Sequence, residues 1–156
     1  MDLELDGKIA VVTGGSRGIG LAVTRALVAE GAFVVVGARE RSAEIAALEE
    51  AGSVAAVTGD LLADGAPEAL IARAAELGGV DVLVNNAGAV SPRPGGFASI
   101  TDADWDRTLA LTLMVAVRTT RAALPQLMRR GGGSIVTVSS VNAFLPDPLV
   151  LDYSAG

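Results

Sequence analysis

The eight residues Thr13-Gly14-Gly15-Ser16-Arg17-Gly18-Ile19-Gly20 constrain this chain more than any other stretch. Before them Ile9-Ala10-Val11-Val12 is a largely β-branched apolar run suited to a buried strand, and after them residues 21–28 carry apolar side chains at helical spacing. A strand must therefore turn directly into a helix. At such a junction the first helical N–H groups lack backbone partners and the helix dipole adds partial positive charge, an arrangement that suits a pyrophosphate. Glycine fits because a Cβ would meet the ligand, the tight turn or the strand beneath the helix. The spacing Gly14, Gly18, Gly20 is G-x-x-x-G-x-G rather than G-x-G-x-x-G, and taken alone it also fits a purely structural turn. No G-K-[ST] ending is present, which removes a P-loop kinase or GTPase.

Apolar strand-like runs recur at 9–13, 33–37, 53–58, 80–85 and 134–139, with helical stretches between them. This alternation predicts an α/β fold: a doubly wound, Rossmann-type parallel sheet of about five strands, ordered 3-2-1-4-5, in one domain over 1–156. Ligand then lies beyond the carboxyl ends of the strands. Gly31 is expected to end the first helix, Pro67 to open the third, and Thr101 with Asp104 to form a capping box before Trp105. One long helix is expected from about 102 to 124, with Trp105, Leu109, Thr112 and Ala116 on one stripe and Pro125 disturbing its end. The segment 90–99, holding Pro92, Pro94, Gly95 and Gly96, reads as an irregular surface connector.

Composition narrows the chemistry. The chain has neither Cys nor His, so disulfides, thiolate chemistry, the commonest transition-metal ligands and any Ser-His or Cys-His relay are excluded, and no metal site is expected. A net charge of −6 argues against nucleic acid and anionic membranes as partners. Hydrophobic residues make up 51%, yet no run approaches the ~18 apolar residues of a membrane helix. Strands buried on both faces account for the excess. The acidic start Met1-Asp2-Leu3-Glu4 lacks the layout of a signal peptide, which gives the expectation of a cytoplasmic protein.

At the end of the second strand, where a NAD-binding fold places a carboxylate on the ribose, the chain reads Gly37-Ala38-Arg39-Glu40. Arg39, with Arg17 in the glycine turn, offers two guanidinium groups to a ribose 2′-phosphate and favours NADP(H) over NAD(H). The alternative is that Arg39 is a solvated charge and Glu40 the acidic partner displaced by one position.

The stretch 13–20, the opening Asp6-Gly7-Lys8, Asp60 followed by Leu61, Asn85-Asn86-Ala87-Gly88, and the pair Ser140 and Tyr153 all occur in the chain. Together they resemble the short-chain dehydrogenase/reductase family over the whole chain. The resemblance implies cofactor contacts at Gly14, Ser16, Arg17, Gly18, Ile19, Gly20, Arg39, Asp60, Leu61, Asn86, Ala87 and Gly88. It further implies that Ser140 polarises a substrate carbonyl and that Tyr153 transfers the proton, in a ketone/alcohol interconversion on a small molecule. A 3-oxoacyl carrier-protein reductase is one such member. Homo-oligomers are implied for a full-length relative. Ser139 is expected to point to the opposite face of the strand and is set aside.

The sequence departs from the family's pattern twice. Where the family has an Asn on the long helix, in a water chain to a Lys, this chain has Thr112. The Lys itself would fall at position 157, one beyond Gly156. Tyr153 is then expected to be unsupported as well as unactivated, since so short a helix does not hold alone. The polypeptide by itself is accordingly expected to be inactive or nearly so: an NADP-binding fragment or interaction module lacking the Lys and the substrate-binding segment. Residues 134–138 are expected to form an exposed apolar edge strand prone to aggregation.

Overall fold

The structure, a computed structural model, describes residues 3–156; Met1 and Asp2, the start of the acidic N-terminal stretch, lie outside them. Five parallel strands, β1 (Ile9–Thr13), β2 (Phe33–Ala38), β3 (Val54–Thr58), β4 (Val82–Asn85) and β5 (Ser134–Thr137), pair in the order β3-β2-β1-β4-β5. The order 3-2-1-4-5 arises because each connection crosses over through a helix, and the reversal beside β1 leaves a crevice at the carboxyl ends of β1 and β4.

Alternation of side chains along the strands divides the core in two. Val11, Val35 and Leu83 face helices α3 (Ala66–Glu76) and α5 (Val115–Arg129), packing on Leu70, Ile71, Ala74, Val115, Ala123 and Leu127. Ala10, Val12, Val34, Val36 and Val84 face the other way, towards α1 (Gly18–Ala29) and α2 (Ala43–Glu50), against Leu21, Leu27 and Ile45. Every residue of β1 is buried. Much of the apolar excess of the composition thus lies in β1, β2 and β4, which are covered on both faces. No helix among the described residues is long and apolar enough to cross a membrane.

The register aligns the strand ends. Thr13 lies beside Gly37, Val12 beside Val84, and Asn85 beside Thr137, so the segments leaving β1, β2, β4 and β5 emerge at one rim. Strand β5 stands at the sheet edge with all four residues exposed, Ile135 at 40% and Val136 at 51%.

Three local expectations need correction. The long helix is not uniform: α4 (Asp102–Leu109) passes through a π turn (Ala110–Met114) into α5. One wider turn rotates the residues C-terminal to it, and the buried stripe of α5 becomes Val115, Thr119, Ala123 and Leu127 instead of continuing through Thr112 and Ala116. Pro125 lies inside α5, which runs on to Arg129. Proline removes one backbone donor, but burial of Ala123 and Leu127 on either side of it holds the helix together. Strand β5 ends at Thr137, two residues earlier than expected. The capping box is present: Thr101 Oγ1 accepts from the Asp104 N–H, and Asp104 Oδ2 accepts from the Thr101 N–H.

Candidate functional site

Thr13 closes β1 with a buried hydroxyl whose capacity is used in full. Its Oγ1 accepts from the N–H groups of Asn86 (2.9 Å) and Ala87 (3.0 Å) and donates to the Val84 carbonyl (3.4 Å). Asn86 Nδ2 returns two bonds, to the carbonyls of Thr13 (3.0 Å) and Gly14 (3.2 Å). One hydroxyl and one amide therefore fasten the glycine turn to the segment after β4. Asn85, its neighbour, faces away, and its Nδ2 donates to Thr120 on α5 (3.0 Å) and Thr137 on β5 (3.5 Å).

The glycines of the turn are needed for different reasons. A Cβ on Gly20 would lie 2.1 Å from the Gly14 carbonyl oxygen, whereas Gly18, at φ +53°, has nothing within 4 Å of that position. Gly20 is required by the protein itself, and Gly18 leaves space on the cleft side. No side chain caps the start of α1 and no acidic residue stands in its first turn, so among the described residues nothing compensates the positive end of the helix.

A cleft of about 740 Å³ opens at this rim. Gly14, Ser16, Arg17, Gly18, Ile19 and Gly20 border it from the turn, Arg39 from the end of β2, Asp60 and Leu61 from beyond β3, and Asn86, Ala87 and Gly88 from beyond β4. Thr112, Ser140 and Tyr153 border the same cleft, so all fifteen of the expected site residues share it. Arg17 and Arg39 are exposed and form no ion pair among the described residues, while the neighbouring Arg41 is committed to Glu49. Glu40 also borders the cleft. Asp60 Oδ1 accepts from the Leu62 N–H (3.0 Å), which shapes the turn beneath it.

Beyond β5, Ser140 Oγ accepts from the Asn142 N–H (3.2 Å), leaving its own proton to donate. Ser139 borders the cleft as well, against the expectation that alternation would turn it away; the strand has already ended at Thr137. Thr112 Oγ1 donates to the Thr108 carbonyl (2.7 Å), and a Cβ at Gly156 would fall 2.0 Å from that same Thr112 oxygen. Thr112 thus lies close against the backbone of the segment carrying Tyr153.

Tyr153 lies in the one-turn helix α6 (Leu151–Ala155), and it is not unsupported. Asp152, at 1% exposure, accepts on Oδ2 from Arg93 Nη2 (2.8 Å), Arg93 Nε (3.2 Å) and Thr108 Oγ1 (2.8 Å). Burial pushes the Asp152 carboxyl up, but bonds from Arg93 and Thr108 outweigh it and hold the group below its ordinary value. Neither Arg93 nor Asp152 is distinguishable in the sequence from an ordinary surface charge, because 59 residues separate them. Arg107 is a further cleft residue not anticipated from the sequence.

A glycine-lined cleft at the switch point of a parallel sheet defines a dinucleotide-binding α/β protein. The short chain dehydrogenase family model matches residues 8–156, and the chain belongs to that family. It is 40% identical to human dehydrogenase/reductase SDR family member 4, over 96% of this chain and 55% of that one. Nodulation protein G of Rhizobium sp. is also 40% identical, over 97% of this chain and 62% of the relative. Among solved structures, a 3-oxoacyl (acyl-carrier-protein) reductase from Agrobacterium tumefaciens with NADP bound superposes with a TM-score of 0.86 at 34% identity, covering 97% of this chain and 59% of that one. An NADH-dependent reductase complexed with NAD gives a TM-score of 0.88 at 28% identity, over 99% and 69%. The chain thus spans little more than half the length of the curated relatives it matches.

Proposed function

We infer that this chain binds NADP(H) and forms the cofactor-binding and proton-transferring part of an oxidoreductase that interconverts a ketone and an alcohol. One observation carries the reading: the uncapped α1 terminus and the Ser140–Tyr153 pair open onto one cleft. The fit to a dinucleotide is supported by the open space at Gly18 and by the guanidinium groups of Arg17 and Arg39, unpaired among the described residues, at the same cleft.

The first N–H groups of α1 take the pyrophosphate, Arg17 and Arg39 hold a 2′-phosphate, and Asp60 with Leu61 borders the adenine. Asn86, Ala87 and Gly88 line the path towards the reacting end. When bound, the reduced cofactor supplies a hydride to the substrate carbon. Ser140 donates its hydroxyl proton in a hydrogen bond to the carbonyl oxygen, and Tyr153 transfers its phenolic proton to that oxygen as it becomes an alcohol. Thr112, its own proton already given to Thr108 in a hydrogen bond, acts only as an acceptor there.

The test has two parts: NADPH titrated into the chain is expected to bind, whereas the chain by itself is expected to give little or no loss of reduced-nicotinamide absorbance with a simple ketone. A protein that binds neither NADPH nor NADH overturns the reading. The choice of cofactor has its own test. Arg17→Ala combined with Arg39→Ala is expected to lower NADPH affinity about 10- to 100-fold, with far less effect on NADH. An unchanged ratio of the two affinities would instead favour Glu40 as a ribose ligand and NAD(H) as cofactor.

A further inference from the structure

We propose that Arg93 and Asp152 are positioning residues that set the Tyr153 phenol against the cleft, making the irregular segment 90–99 a strut. The role rests on the reading of Tyr153 as the proton donor. Neither Arg93 nor Asp152 borders the cleft, so neither touches cofactor or substrate.

Helix α6 has five residues, too few to persist on its own backbone bonds. The groups that fix it come from afar. Arg93 serves three partners at once: its backbone N–H donates to the Leu149 carbonyl (2.6 Å), Nε and Nη2 converge on Asp152 Oδ2, and Nη1 donates to Asp104 Oδ1 (2.9 Å). Asp104 is itself part of the capping box of α4, so the guanidinium joins the start of that helix to the residue before Tyr153. Thr108 adds a bond from the same helix to the same carboxylate oxygen, one turn before Thr112. A single carboxylate oxygen therefore fixes Tyr153 relative to the helix that presents Thr112. Only a planar guanidinium supplies donors to two carboxylates at once in this fork; an ammonium of similar reach serves as a point charge. The side chain of Arg93 is 19% exposed and that of Asp152 2%, so water does not substitute readily for either.

Tyr153 is the sole tyrosine in the chain, which makes it directly observable. With ring-labelled tyrosine, the protein gives one set of ring signals, expected to be shifted from the position of free tyrosine by the ordered surroundings. Arg93→Met is expected to move the signal to the free position while amide signals of β1 to β4 and NADPH affinity stay unchanged. Arg93→Lys is expected to bring the signal part of the way back, and Arg93→Met with Asp152→Leu to be no worse than either alone. If Arg93→Met fails to fold, Asp152→Asn, which preserves shape, asks the same question. Tyr153 signals that remain in place in a folded variant would overturn the proposal. Failure of the parent protein to bind a nicotinamide cofactor would sink the functional reading, while the ring signals still decide the strut.

Discussion

Gly20→Ala is the most demanding test of the close approach at the glycine turn. The new Cβ would sit 2.1 Å from the Gly14 carbonyl oxygen, 2.8 Å from its carbon and 2.5 Å from Asn86 Nδ2. Ordinary contact begins near 3.4 Å, so the turn and α1 must separate by about 1.3 Å. Neither neighbour yields easily, because Asn86 Nδ2 is bonded to the carbonyls of Thr13 and Gly14. Overpacking of this kind costs about 1–3 kcal/mol, and loosening the two amide bonds adds about 0.5–1.5 kcal/mol each. Alanine's better helix propensity returns only about 1 kcal/mol. The net loss of roughly 1–5 kcal/mol corresponds, at about 2–4 °C per kcal/mol, to a fall in melting temperature on the order of 10 °C. Gly18→Ala is the control, since nothing obstructs its Cβ and only the left-handed backbone, worth about 1–2 kcal/mol, opposes it. Its main effect should be on NADPH binding. Thermal melting by circular dichroism and cofactor titration on both variants decide the matter. A Gly20→Ala protein that melts within about 2 °C of the parent and binds NADPH equally well would refute the close-approach reasoning.

Exposed and charged groups give two further expected outcomes. Ile135 and Val136 on the open edge of the sheet are expected to drive concentration-dependent self-association of the 156-residue chain, which Val136→Lys should reverse; analytical ultracentrifugation that finds the unsubstituted chain monomeric throughout would contradict this. Acid should destabilise the protein through Asp81 and Asp152: burial raises both carboxyls, but Arg130 and the Ile9 N–H at the first, and Arg93 and Thr108 at the second, bring them below the ordinary value of 3.8. In the window between the folded and unfolded values the unfolded chain binds more protons. The stabilisation is complete above 3.8 and is lost as pH falls through the folded values, so Asp152→Asn should flatten the acid limb of a denaturant-measured stability curve.

The sheet order was legible because parallel strands buried on both faces are written as short apolar runs, and a run such as Val34-Val35-Val36 admits few other environments. The cradle was legible for a related reason: backbone geometry that only glycine tolerates leaves a mark at fixed spacing. Asn85 and Asn86 could be identified as a motif, but their opposite orientations, one towards α5 and β5 and the other towards the glycine turn, emerge only once the strand has a register. The π turn was not legible, since Ala110 to Met114 has ordinary helical composition and nothing in it marks an extra residue. Nor was the Arg93–Asp152 pair, whose meaning depends on three-dimensional closure across 59 residues.

The two halves of the cleft are held by different forces, and that difference has consequences. Around the cradle the fasteners are neutral: the Thr13 hydroxyl, the Asn86 amide and backbone groups, none of which titrates near neutrality. Around Tyr153 they are ionic, with one guanidinium shared between Asp152 and Asp104, both held below the ordinary carboxylate value. Protonation of Asp152 removes the charge that Arg93 and Thr108 stabilise, yet leaves the bonds of Thr13 and Asn86 intact. Falling pH should therefore disorder the Tyr153 ring before it weakens dinucleotide binding. The Tyr153 ring signals and NADPH affinity, tracked on one sample from neutral to acid pH, are expected to change in that order. Simultaneous loss of both would mean that the cleft behaves as one cooperative unit.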